Sequence, residues 1–196
     1  GQMYYNSTTG QFKAIKDGVG SWSSGGTANT ARYQNGGAGI SNSNALIFGG
    51  YYGTAATALN EIYDGTSWTE QGDLNSAKRY LAGCGSNTAA LATGGYPPTT
   101  QNEEWDGSTW TEQGDLSRAS GHYDSAQVGT TAASLYFGGE PAPAGVAVEQ
   151  WNGTTWTEVN DLNQGRYALS GFGTSTLATA AGGGYPPGQK YATAED

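Results

Sequence analysis

Tyr63-Asp64-Gly65-Thr66-Ser67-Trp68-Thr69-Glu70 returns as Trp105-Asp106-Gly107-Ser108-Thr109-Trp110-Thr111-Glu112 and again as Trp151-Asn152-Gly153-Thr154-Thr155-Trp156-Thr157-Glu158. A looser copy, Lys16-Asp17-Gly18-Val19-Gly20-Ser21-Trp22, precedes them with one extra residue. The tryptophans that close the four copies stand at positions 22, 68, 110 and 156, in steps of 46, 42 and 46. Asp-Gly or Asn-Gly between two strand-forming runs marks a hairpin, because Gly accepts a positive φ and Asp or Asn caps the turn locally. A fixed period of this length marks a repeat architecture.

Two more markers keep the same beat. Gly pairs close apolar runs at Gly49-Gly50, Gly94-Gly95, Gly138-Gly139 and Gly183-Gly184. A basic residue followed by Tyr falls at Arg32-Tyr33, Arg79-Tyr80, His122-Tyr123 and Arg166-Tyr167. Each period reads as four short strands: a small-residue strand after the basic-Tyr marker, an apolar strand into the Gly pair, a strand into the Asp-Gly turn, and the Trp strand. One such sheet cannot hide both of its faces, so neighbouring sheets must stack. Four strands in about 45 residues is the arithmetic of a propeller blade. The expected fold is therefore an all-β propeller of four-stranded antiparallel blades. Its small-residue strands lie innermost, around an axial channel, and its large side chains fill the space between blades.

The expected organisation is an N-terminal hairpin or linker over 1–21 and propeller repeats over 22–196. Blades are expected at 32–70, 79–112, 122–158 and 166–196. The last is incomplete, because it stops before its Trp strand. Either the Trp22 segment closes it or a longer parent chain supplies further blades.

Composition narrows the function. The 196 residues include 33 Gly, 13 Tyr and 6 Trp, which disfavours long helices and suits pleated sheet. A 12% aromatic fraction is too rich for a disordered tail. The net charge of −9 argues against nucleic acid, whose phosphates need clustered Lys and Arg. No apolar run is long enough to span a bilayer, so no membrane insertion is expected. A single histidine, His122, and a single cysteine, Cys84, supply neither a metal-ligand cluster nor a nucleophile–base pair. No enzyme activity, metal or cofactor is expected. Glu103-Glu104 is read as a solvated strand edge rather than a glycosidase pair.

The order of basic residue, Gly-Gly, spaced aromatic and Trp resembles the kelch repeat over residues 32–195. The wording Asp-Gly-Thr-Ser-Trp-Thr-Glu followed by Asp73-Leu74-Asn75 is similar to kelch-like arrays in tail and fibre proteins of marine bacteriophages, cyanophages especially. The opening from Gly1 to Lys13 is similar to the hairpin that often precedes such arrays. These resemblances imply a virion structural or host-recognition module, a tail fibre, appendage or decoration protein. It would be located on the particle or otherwise secreted. The implied partners are a host cell-surface glycan or other virion proteins, with self-association in an assembly left open. The alternative is a secreted bacterial kelch-type carbohydrate-active enzyme or accessory carbohydrate-binding domain.

Two residue sets are candidates for binding. Arg32, Arg79, His122 and Arg166, each followed by Tyr, would encircle one mouth of the channel, where guanidinium and phenol groups together suit an anionic sugar or carboxylate ligand, unless they tie blades together as scaffold. The loops after the Gly pairs differ between copies and carry Tyr51, Tyr52, Tyr96, Pro97, Tyr185 and Pro186. Loops on a rigid scaffold commonly carry recognition, and exposed Tyr stacks on sugar rings.

Overall fold

A computed structural model describes residues 3–6, 11–14, 25–118, 122–140, 144–185 and 188–196. Four antiparallel sheets stand side by side as a four-bladed β-propeller. Blade 1 runs through Gly36–Ser41, Asn44–Phe48, Asn60–Tyr63 and Trp68–Gln71, in that spatial order. Blade 2 repeats it with Ala82–Ser86, Ala89–Thr93, Asn102–Trp105 and Trp110–Glu112. Blade 3 comprises Ala126–Gly129, Ser134–Phe137, Val148–Trp151 and Trp156–Glu158. Among the described residues blade 4 has three strands, Ser170–Gly173, Ala178–Ala181 and Ala194–Glu195. Met3–Asn6 pairs with Gln11–Ala14 as a separate hairpin, and the Trp22 segment lies outside the described residues.

The quoted repeat makes the outer hairpin of each complete blade. Asp106 Oδ1 accepts from the amides of Ser108 and Thr109, both at 2.8 Å, and Gly107 takes φ +97°. Asp64-Gly65 and Asn152-Gly153 fold the same way. Donation from the Thr109 amide and from Ser108 holds the Asp106 carboxyl down to about 2. The turn sets the register that pairs Trp105 with Trp110 and Trp151 with Trp156.

Those paired rings build the seams between blades. Phe48 of blade 1 meets Trp110 of blade 2 edge-on at 5.0 Å, within a cluster that also holds Leu46, Leu74, Leu81 and Trp105. Between blades 2 and 3, Leu91 and Cys84 pack with Tyr136, Trp151 and Trp156. Between blades 3 and 4, where no tryptophan contributes among the described residues, Phe137, Val148 and Ala180 meet, and a cleft of about 240 Å³ remains beside Leu135 and Leu162. The innermost strands line the channel with Gly37, Gly83, Gly129 and Gly171, beside Gln127. Small residues there allow the strands to converge.

Backbone bonds lace the blades at one mouth. Tyr80 N donates to Gln34 O, Asp124 N to Tyr80 O and Ala168 N to Asp124 O, at 2.6, 3.1 and 2.9 Å. A second series runs beneath it: Gly50 N to Lys78 O, Gly95 N to His122 O and Gly139 N to Arg166 O. Among the described residues neither series has a link from blade 4 to blade 1, and no apolar cluster joins these two blades. Phe172 and Ile40, on their innermost strands, stay 60% and 74% exposed. Among the described residues the ring is sealed at three seams and open at the fourth.

Dihedral angles fix the repeat register more finely than sequence spacing. Gln34, Tyr80, Asp124 and Ala168 all take positive φ and are equivalent. Tyr33, Arg79, Tyr123 and Tyr167, one residue earlier, form the matching bridges to the loops after the Gly pairs. Arg79 therefore stands where the other blades place Tyr, and Lys78 stands where they place Arg32, His122 and Arg166. The equivalence of Arg79-Tyr80 with Arg32-Tyr33 expected from sequence is thus off by one residue. The fourth Gly pair shifts likewise: Gly182 and Gly183, at φ +69° and +85°, match the earlier pairs, and Gly184 follows them.

Candidate functional site

Four of the eight Lys and Arg residues serve the scaffold. In each blade a glutamate of the third strand receives a cation from the segment that enters the blade. The pairs are Arg32–Glu61, Lys78–Glu103, Arg118–Glu149 and Arg166–Glu195, at 2.6 to 2.7 Å. The other oxygen of each glutamate accepts a backbone amide, from Asn29, Asn75, Ser117 or Asn163. Arg32 also donates to Ile47 O, and Arg166 to Gly182 O and Thr193 O. Glu103, expected on a solvated edge, is 1% exposed, because its neighbours supply enough donors to keep a buried carboxylate satisfied. Glu61, Glu149 and Glu195 escaped the sequence reading, although with Glu103 they recur at one position of the third strand.

His122 sits in this layer, fully buried, with Nδ1 2.8 Å from Arg118 Nη1. A guanidinium can only donate, so Nδ1 accepts and the ring proton lies on Nε2. Burial first, and the Arg118 charge second, lower the imidazole from 6.5 to about 4. The side chains of Arg32, His122 and Arg166 thus lie within the blades and do not encircle the mouth.

Arg79 is different. Lys78 takes the scaffold position, so Arg79 turns onto the mouth surface, half-buried, with no carboxylate partner among the described residues. Its guanidinium lies 4.7 Å from the Tyr51 ring centroid, 4.9 Å from Tyr96 and 5.3 Å from Tyr80. Nη1 donates to Gln34 Oε1 at 3.1 Å, and Gln34 also bonds the Tyr80 hydroxyl. Nη2 and Nε make no hydrogen bond to the described residues.

The rings continue in both directions. Tyr33 meets Tyr51 edge-on at 5.5 Å. Tyr123 lies 5.3 Å from Tyr96 and 5.8 Å from Tyr80. The Tyr123 hydroxyl donates to Glu140 Oε2 at 2.8 Å, and this bond pushes the phenol up to about 12. Beside it, burial and the Glu140 charge raise Asp124. The outcome is a band of tyrosines across blades 1 to 3, with Arg79 at its centre and carboxylates at one end.

Sequence-predicted residues divide on this map. Tyr51, Tyr96 and Arg79 come together. Tyr52 projects from a small hairpin of Tyr51–Tyr52 with Ala55–Ala56 and is 57% exposed. Pro97 is exposed beside Tyr96. Tyr185 stands apart on blade 4, in the pair Gly184–Tyr185 with Gln189–Lys190, and Pro186 lies outside the described residues. Tyr33, Tyr80 and Tyr123, the phenols expected beside the basic markers, also belong to the band, as does Gln34, which the sequence did not single out. Its position flanking a basic marker was the available signal. No known family's sequence model and no curated protein matches this chain.

Proposed function

We propose that this chain is a non-enzymatic recognition module that binds through the tyrosine band, as a structural or host-attachment part of a virion. The observation that carries this reading is the concentration of half-exposed aromatic rings, a spare guanidinium and hydroxyl groups on one face of a rigid blade stack. Rigid aromatic surface with a few oriented polar groups is how proteins grip sugars and protein loops. The resemblance of the repeats to kelch-like arrays of phage tail and fibre proteins supports the virion setting, with a host glycan or another virion protein as partner.

The test is binding of purified protein to intact marine bacterial cells and to a glycan array. Retention on cells, abolished by Tyr51→Ala with Tyr96→Ala, is the expected result. No binding to any cell or glycan would end the host-attachment reading and leave only contact with other virion proteins. Turnover of a bound glycan would instead favour the alternative, a carbohydrate-active enzyme.

A further inference from the structure

Resting on that recognition reading, we infer that the ligand is an acidic sugar whose carboxylate is held by Arg79. Four observations converge on it. Lys78 satisfies Glu103 in place of an arginine, so blade 2 spends a lysine on its scaffold and keeps an extra cation for the surface. This departure occurs in blade 2 alone; Tyr33, Tyr123 and Tyr167 fill the equivalent place elsewhere. A scaffold role would be repeated, whereas a ligand contact breaks the repeat.

The geometry suits a planar anion. Tyr51, Tyr80 and Tyr96 hold the guanidinium, and Gln34 fixes one end through Nη1. The remaining donors stay available in their fork, which matches a carboxylate with two parallel bonds. Tyr33 and Tyr96, 56% and 39% exposed, offer ring surface beside it for the apolar face of a pyranose.

Charge sets the orientation. Glu140 and Asp124 occupy the blade 3 end of the band and repel a carboxylate there. Their oxygens accept from sugar hydroxyls instead. The chain as a whole carries net charge −9, so the anion is drawn to a local exception in an acidic protein.

Titration of tyrosine fluorescence with an oligoglucuronide, and with the carboxyl-reduced oligoglucoside of equal length, tests the assignment. The acid should bind about 10- to 100-fold more tightly than its neutral counterpart, the range expected of a charge-assisted pair. Arg79→Gln should cancel that preference, and Arg79→Lys should restore only part of it, since the charge returns without the fork. An unchanged melting temperature in Arg79→Gln separates this loss from misfolding. Equal binding of both oligosaccharides, or a preference that survives Arg79→Gln, would overturn the acidic-sugar assignment while leaving the recognition reading standing. Failure of every glycan and every cell to bind would instead end the host-attachment reading on which the assignment rests.

Discussion

Lys78 and Arg79 are neighbours with the same charge, and the structure gives them opposite duties. Lys78 Nζ lies 2.7 Å from Glu103 with both side chains 3% exposed or less. Removing one partner strands a buried charge, so Lys78→Met should cost about 3–5 kcal/mol in urea unfolding. Arg79→Gln touches no ion pair and should stay within about 1 kcal/mol of the parent. His122 makes a separate prediction. The unfolded chain takes up its proton near 6.5, the folded one only near 4. Between those values the unfolded state holds more protons, so stability falls as pH drops through that window. Urea midpoints at pH 7 and pH 5 should move further apart in the parent than in His122→Gln.

The Gly pairs act at the scale of the element. In the first three pairs the first Gly passes beneath the segment entering the next blade, and a Cβ on Gly94 would come within 2.3 Å of the Tyr136 hydroxyl and 2.5 Å of His122 O. Gly182 has a similar φ and the same place in the repeat, yet nothing lies within 4 Å of its virtual Cβ. Gly182→Ala should therefore lose only the about 1–2 kcal/mol of a left-handed alanine. Gly94→Ala should lose at least about 2 kcal/mol more, because rigid backbone on the next blade must shift. Calorimetric melting of the two variants makes the comparison. Strands and turns of this kind were legible in the sequence because Asp-Gly, Gly-Gly and Trp are each tied to one backbone geometry. The site was less legible. Spacing aligned Arg79 with Arg32, and only the positive φ of Tyr80 and Gln34 shows that the two arginines differ by one position. Tyrosines far apart in sequence meet because blades converge at the mouth, and a repeat pattern does not state that distance.

For the whole molecule, stability follows neighbours. Among the described residues blades 2 and 3 are packed on both sides, while blades 1 and 4 each have one bare face. In a stack of repeats the terminal units open first. Amide exchange should show it directly: Gly95 N and Gly139 N, bonded to the next blade at 2.9 and 2.8 Å, should be strongly protected. Gly183 N, their counterpart in blade 4, should exchange at least about a hundredfold faster. Equal protection at all three would mean that the fourth seam closes in solution.

The gap that the described residues leave between blades 1 and 4 also has a mechanical meaning. A closed hoop resists spreading by tension around its circumference, whereas a split one yields by bending at its free ends. The bonds that set the spacing of Tyr33, Arg79 and Tyr123 run through the two seams joining blades 1, 2 and 3, away from the split. A tug on the molecule would first widen the gap and leave the grip undistorted, so compliance and recognition are assigned to opposite sides of the same ring.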